Sequence, residues 1–419
     1  MKSSSANSTV DRGEPLARPL DAVPLPLHVL TLTPFFPSLE NEVGGCFIKE
    51  PIDALARIGV AATVIGVRPV YNRRPHPSPE APAKWIRYPQ LPGTVGLSSA
   101  GRFLYARLFA EVSRAHRNRS IDVIHAHAAL PCGHAAFLLG QRLGIPYVVT
   151  VHGLDVFNTC FVGGAAAEWR RATSIAVYRN AGRVVCVSRR VERTLQNGMP
   201  GAVHSTVVHN GTDVELFSPQ PTDRGAASVS ASNALGQDIL VVGNLIPSKG
   251  QEIVLRAIHR ISDAFPQLQC RIVGEGPDRR RLEALANELG ISQRIHFVGR
   301  QSRAAVANAM RACSMFVLPS SSEGLGCVYL EAMACAKPVI ACRGQGIEEI
   351  IEHGKNGWLI TPDHLPELEQ AISVLLNSPK QAGQIGIAAR QTILNGATLA
   401  HQAQSLATVY RLCAPGRAL

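Results

Sequence analysis

From Leu27 onward the chain alternates short β-branched and aliphatic runs with longer stretches in which apolar positions recur every three or four residues. The first set of runs is LHVLTLT, AATVIGV, IDVIHAH, PYVVTVH and RVVCVS, with a glycine-started helix expected over 44–58. Strand-helix alternation of this kind predicts a parallel, doubly wound α/β sheet. Between Arg68 and Ser98 the pattern breaks into a stretch carrying Pro69, Pro75, Pro77, Pro79, Pro82, Pro89 and Pro92. That density excludes a helix and reads as a surface excursion. A Ser/Ala/Pro/Asp-rich connection from Ser218 to Gln237 leads into a second set of runs, DILVVGN, QCRIVGEG, RIHFVGR, CSMFVLPS and KPVIAC. Two Rossmann-like halves follow, and the cleft between them, at the carboxyl ends of the strands, is the expected site. From about Asp363 the pattern is helical and ends in HQAQSLATVYRL. The expected division is a tail over 1–25, a first domain over 26–212, a linker over 213–237, a second domain over 238–395 and a final helical segment over 396–419.

Composition narrows the function. At 419 residues the chain is too long for one compact core. Residues 1–25 have no apolar core of signal-peptide length, and no run approaches the roughly 20 apolar residues of a spanning helix. A cytoplasmic location, with peripheral attachment to the inner face of the membrane as an option, is the expectation. Residues 1–210 hold 23 Lys+Arg against 13 Asp+Glu, whereas residues 211–419 hold 19 against 18, so the basic character belongs to the first half. An anionic membrane face or a phosphate-bearing substrate would suit that half. Nucleic acid is disfavoured, because no aromatic-interleaved basic stripe or reading module is present. The ten cysteines have no framework-like spacing, and Cys186, Cys270 and Cys313 sit in strand-like runs as small hydrophobes. His125, His127, Cys132 and His134 fit no common zinc pattern.

The most informative stretch is PSSSEGLGCVYLEAMACAKPVIAC, residues 319–342. Glu323 stands at the mouth of a glycine loop, Gly324 and Gly326 lie under the start of a helix, and Glu331 falls about two turns inside it. Free backbone N–H groups and the positive end of the helix dipole suit a diphosphate, and glycines permit close approach. A carboxylate about 12 Å further along the helix can accept hydrogen bonds from the ribose of the same nucleotide.

Together with Gly243-Asn-Leu-Ile-Pro-Ser-Lys249-Gly250, the Gly274-Glu-Gly276-Pro277 turn and Phe297-Val-Gly299, this block resembles the donor-binding domain of retaining GT-B glycosyltransferases, family 4. The first half is similar through Gly44-Gly45, His152-Gly153-Leu-Asp155 and Asn210-Gly211-Thr-Asp213. The resemblance implies the GT-B fold, two Rossmann-like domains facing across a cleft, with a C-terminal helix crossing back to the first. It implies that Lys249 neutralises a nucleoside diphosphate, Glu331 holds the ribose, Glu323 lies beside the transferred sugar, and Gly324, Leu325 and Gly326 meet sugar and phosphate. Gly45 would present N–H groups to the diphosphate from the other domain, and His152 would face the sugar. Asn244, also implied in donor binding, stands where the family commonly has an arginine; it can hydrogen-bond a phosphate but supplies no charge, so a greater share of the charge would fall on Lys249 or on another cation such as Arg300. Asn210, Gly211 and Asp213 read as hinge residues.

The implied activity is hexosyl transfer from a nucleoside-diphosphate sugar to an acceptor hydroxyl with retention, a lipid-linked saccharide for cell-surface polysaccharide or glycolipid being the expected acceptor. Alternatives within the fold are a sugar-nucleotide epimerase or a non-catalytic sugar-nucleotide-binding protein. A dinucleotide oxidoreductase is disfavoured by the missing Gly-x-Gly-x-x-Gly. No cofactor is required on this reading, and with no Asp-x-Asp motif no metal is demanded. Attack from the leaving-group face needs no protein nucleophile, and Glu323 as a covalent nucleophile is the alternative. Finally, Phe103, Leu104, Leu108 and Val112, flanked by Arg102, Arg107, Arg114 and Arg117, form an apolar helix stripe that would dock on an anionic membrane, the alternative being a Rossmann helix whose stripe packs on its own sheet.

Overall fold

The computed structural model describes residues 26–39, 41–72, 75–91, 96–153, 165–199, 201–219 and 237–414. The tail over 1–25, Asp155, linker residues 220–236, parts of the Pro-rich stretch and the last five residues lie outside the described residues.

Among the described residues the first half builds one sheet of seven strands in the order β3-β2-β1-β4-β5-β6-β7. These are β1 (His28–Thr33), β2 (Ala61–Pro69), β3 (Lys84–Tyr88), β4 (Val123–His127), β5 (Tyr147–Val151), β6 (Arg183–Cys186) and β7 (Ser205–Val207). Every neighbouring pair is parallel. The order reverses direction at β1, which leaves the crevice at the carboxyl ends of β1 and β4. The covering helices are α1 (Cys46–Arg57), α2 (Leu97–Asn118), α3 (His134–Leu143), α4 (Ala165–Asn180) and α5 (Arg189–Gly198). Leu30, Leu32, Ile124 and Val149 are fully buried, as strands covered on both faces require.

The second half repeats the scheme with β8 (Asp238–Val242), β9 (Gln269–Val273), β10 (Ile295–Gly299), β11 (Met315–Val317), β12 (Val339–Cys342) and β13 (Trp358–Ile360), ordered β10-β9-β8-β11-β12-β13. Its helices are α6 (Gln251–Ile261), α7 (Arg279–Glu288), α8 (Arg303–Ala312), α9 (Cys327–Ala334), α10 (Leu365–Asn377), α11 (Pro379–Gly396) and α12 (Leu399–Cys413). The last of these leaves its own domain. Leu399, Ala403, Leu406 and Tyr410 bury against Val29, Leu55 and Val148 of the first domain. The crossing is stitched to the hinge by backbone bonds, Thr212 N–H to the Ala397 carbonyl at 3.0 Å and Leu399 N–H to the Thr212 carbonyl at 3.1 Å. Asp213 caps the hinge turn, its Oδ1 accepting from the N–H groups of Glu215 and Leu216 at 2.9 and 3.0 Å.

Two expectations change. The Pro-rich excursion contains a true edge strand, β3, which pairs with β2 from Ile65–Lys84 to Pro69–Tyr88. Pro82 and Pro89 bracket the run KWIRY without interrupting it, and an edge strand needs partners on one side only. The apolar stripe of α2 also divides. Leu104, Leu108 and Val112 are fully buried against their own sheet, while Phe103, one residue out of register, is 48% exposed. Arg102, Arg107, Arg114 and Arg117 remain on the open face. The nine described cysteines are free thiols, and Cys186, Cys270 and Cys313 are buried.

Candidate active site

The site is assembled where the carboxyl ends of the two sheets face each other. Lys249 ends a single 3-10 turn after β8, and its Nζ is ion-paired with Glu323 at the mouth of the loop before α9. Both side chains are largely buried, 18% and 12% exposed. Gly250 follows with φ +71, and a Cβ there would strike the backbone of Pro319, so this glycine lets the Lys249 turn lie directly on the Glu323 loop. Glu323 is held from behind as well, its N–H donating to Gln345 Oε1 at 3.0 Å. The Gly274-Glu-Gly276 turn serves packing, since its glycines touch the backbones of Gly243 and Leu245 at the end of β8.

Two helices begin at this cleft with no side-chain cap. The N-cap of α1 is Gly45 (φ +80) and that of α9 is Gly326 (φ +82). Gly45 is pressed on the Phe35 and Phe36 backbone, so packing alone demands glycine there, and the same geometry leaves the helix start open. Leu325 is 1% exposed with its side chain in the core, so only its backbone can meet a ligand. Asn244 and Arg300 are exposed at the ends of β8 and β10.

His152 follows β5 at the opposite wall. Its carbonyl lies against Gly324, and Ser188 Oγ donates to the Gly324 carbonyl at 2.7 Å, so the two domains touch at the glycine loop itself. The His152 ring is packed edge-on to Phe47, in the first turn of α1, at 5.0 Å, and shares a 3.0 Å hydrogen bond with His127. His127 in turn lies beside His125, whose ring nitrogens bond Tyr410 of α12 and Thr150 at 2.8 and 2.6 Å. Burial pushes the imidazoles of His125 and His152 down to about 3 and about 4, and that of His127 well down too. At neutral pH the row is therefore uncharged. His152 can supply a hydrogen bond or a carbonyl but no positive charge.

Glu331 lies little more than one turn into α9, not two as the spacing predicts, because the helix begins only at Cys327; its side chain is 3% exposed. Its Oε1 is ion-paired with Arg303 at the start of α8, and its Oε2 is buried with no hydrogen-bond partner. Arg303 also forms a two-pronged pair with Glu50 of α1, Nε and Nη2 donating at 2.9 and 3.0 Å. Sequence reasoning missed Arg303 and Glu50. The one available signal was an arginine in the first turn of α8, where the helix dipole disfavours a cation and its charge must be met elsewhere. Glu349 was missed too; it crosses between domains to accept from the Arg189 and Arg190 N–H groups, each at 2.9 Å. A pocket of about 440 Å³ opens beside Gly44 and Gly45 on the first domain, lined also by Arg68, Asn72, Tyr88 and Gln90.

Among the described residues no three His, Cys, Asp or Glu side chains cluster as metal ligands, and no helix is long and apolar enough to cross a membrane. The family model described as Glycosyltransferase Family 4 matches residues 47–216, and the model described as Glycosyl transferases group 1 matches residues 229–392. An uncharacterized glycosyltransferase of Methanocaldococcus jannaschii is 32% identical over 269 residues, 64% of this chain and 69% of that protein. The D-inositol 3-phosphate glycosyltransferase of Mycobacterium avium is 31% identical over 319 residues, 73% of this chain and 72% of its own length. Among solved structures, sucrose-phosphate synthase from Thermosynechococcus elongatus superposes with a TM-score of 0.74 at 23% identity, covering 92% of this chain and 98% of that one. Anabaena HepE, solved in complex with UDP-glucose, gives 0.69 at 21% identity, covering 91% and 98%.

Proposed function

The chain belongs to the glycosyltransferases of the GT-B fold, and on that premise we propose that it moves a hexosyl group from a nucleoside-diphosphate sugar to an acceptor hydroxyl with retention of configuration. The observation that carries this reading is the convergence of Lys249 and two uncapped helix starts, Gly45 of α1 and Gly326 of α9, on the cleft that Glu323 and Glu331 flank. Negative charge grows on the departing diphosphate in the transition state. Lys249 and the N–H groups of the two helix starts meet it with fixed positive partners that need no reorganisation. The similarity to HepE, solved with UDP-glucose, supports a nucleotide-sugar donor.

Glu331 takes the ribose, Glu323 and the backbone of Gly324–Gly326 the transferred sugar, and the His152 carbonyl and neutral ring the sugar's far side. The acceptor enters from the pocket at Gly45, so that its hydroxyl approaches on the face from which the diphosphate leaves. A leaving-phosphate oxygen then takes the hydroxyl proton. The protein's own part is positioning and charge stabilisation, with Lys249 and helix dipoles supplying the positive charge. The open face of α2, with Phe103 among four arginines, supports docking on an anionic membrane that carries a lipid-linked saccharide acceptor.

Calorimetry with UDP-, GDP- and ADP-sugars, followed by NMR of the product made on lipid-linked saccharides in anionic vesicles, tests the proposal. The expected result is binding of one nucleotide class and a product anomeric proton of the donor's configuration. An inverted product would remove retention, and absence of binding to every nucleotide sugar would remove the donor reading.

A further inference from the structure

Arg303 is placed as no other cation among the described residues. It enters α8 behind Ser302, whose Oγ caps the helix by accepting from Ala305 N–H at 3.2 Å. Its guanidinium lies over the ring of Phe217, 4.6 Å from the centroid, and Phe217 is fully buried just after the hinge, its N–H bonded to the Asp213 carbonyl at 2.9 Å. From that platform the planar fork faces two carboxylates on two domains, Glu50 of α1 and Glu331 of α9. A guanidinium can serve both at once because its donors are fixed in a plane, whereas an ammonium is a single point charge. A buried carboxylate oxygen with no partner is costly and calls for a ligand. Glu331 Oε2 is such an atom, and its sister oxygen is held by Arg303.

We propose that Arg303 is a positioning residue for donor recognition: it holds Glu331 by one oxygen so that the other is presented, already oriented, to the ribose diol, and its bond to Glu50 ties that orientation to closure of the two domains. The inference rests on the reading of Glu331 as the ribose ligand. A terminal carboxylate torsion is broad and roughly two-fold, so fixing Oε1 removes most of the freedom that ribose binding would otherwise have to arrest. Without Arg303, Glu50 and Glu331 would face each other across the cleft with no countercharge, and closing the domains would bring like charges together. Burial already lifts the Glu50 carboxyl to about 7, against the pull of Arg303 and with a push from Glu331 and Asp213. Burial alone would lower the basicity of Arg303, yet the surrounding anionic groups, led by Glu331, raise it, so the guanidinium stays charged.

The test compares the affinity of the full-length protein for the tightest-binding of UDP, GDP and ADP with that for the matching 2′,3′-dideoxy nucleotide. Wild-type protein should prefer the ribose form by about tenfold or more, as expected for hydrogen bonds to a charged group. Arg303→Met should lose that preference while its affinity for the dideoxy form stays within about threefold of wild type. Combining it with Glu331→Ala should cost nothing further. Glu50→Gln should keep the preference, since the Arg303–Glu331 bond survives, but lower turnover. If Arg303→Met melts too early to assay, the double variant Arg303→Met/Glu50→Gln carries the same readout, because it also removes the Glu50 carboxylate that would be left without its countercharge. Retention of the full ribose preference in the Arg303 variants, with its loss in Glu331→Ala, overturns the proposal alone. Absence of the preference in wild-type protein overturns both the ribose reading of Glu331 and the role of Arg303.

Discussion

Replacing Gly324 by alanine should block the closed state without damaging either domain. A Cβ at this position would stand well under 3.0 Å from the His152 carbonyl oxygen, and 3.2 Å from both the His152 carbonyl carbon and Val187 Cγ2, where ordinary contact is 3.4–4 Å. None of these atoms can swing aside. His152 contributes backbone, and Val187 is a core residue 2% exposed. The loop is also pinned from the other side, because Ser188 Oγ bonds the Gly324 carbonyl and the backbone at Gly346 packs against it. The added methyl therefore fits only if the first domain withdraws by about 1 Å, and overpacking of this kind typically costs about 1–3 kcal/mol. At 1.36 kcal/mol per tenfold, the closed population falls by about 5- to 150-fold. The loss should appear in kcat/KM for sugar transfer. Affinity for the free nucleoside diphosphate, assigned mainly to Lys249, Glu331 and the α9 start in the second domain with Gly45 as the first domain's share, should fall less than kcat/KM does. The melting temperature should move by no more than a few degrees, since both cores are untouched. A Gly324→Ala enzyme whose kcat/KM stays within twofold of wild type would refute the argument that the contact at His152 belongs to the reactive state.

Lys249→Met should weaken donor binding and turnover together by about 2–4 kcal/mol, because it removes the cation assigned to the diphosphate and strands the buried Glu323 carboxylate; unchanged steady-state kinetics would take Lys249 out of the site. Between pH 6.5 and about 4 the unfolded chain takes up protons that the buried His125 and His152 refuse, so their contribution to stability is complete above pH 6.5 and is lost as pH falls, by up to about 1.4 kcal/mol per pH unit for each. Glu50, lifted to about 7, works the opposite way over the range 4.5–7, so the readout is the flattening of the pH dependence of melting in His125→Gln relative to wild type, and identical slopes would count against the histidine row as its source. Gly383→Ala, in the second turn of α11 with no atom beyond its own helical turn within 4 Å of the new methyl, should raise stability by about 0.5–1 kcal/mol with no change in activity, and a fall in melting temperature would contradict the open space at that helix face.

Ten of the thirteen strands among the described residues were legible as apolar runs because a strand covered on both faces must be apolar nearly throughout, and that demand is local. The strands that were not, β3, β7 and β13, are edge or end strands whose burial is partial and whose runs are short. The order of chemistry along the chain was likewise readable. Glycines, a lysine after β8 and two carboxylates eight positions apart point to a loop that opens into a helix, but not to where the helix begins: α9 starts at Cys327, so Glu323 stays in the loop and only Glu331 is helical. What belongs to tertiary structure is every relation across the cleft. Nothing in the sequence ties Arg303 to Glu50, 253 positions away, or His125 to Tyr410, 285 positions away. The α2 stripe looked the same whether it faced lipid or its own sheet, and only packing decided that Leu104, Leu108 and Val112 face inward. Periodicity reports which residues share a face, whereas the partner of that face, and the charge that a buried carboxylate finds there, are set where the two sheets are brought together by the hinge at Asn210–Asp213 and by α12 crossing back.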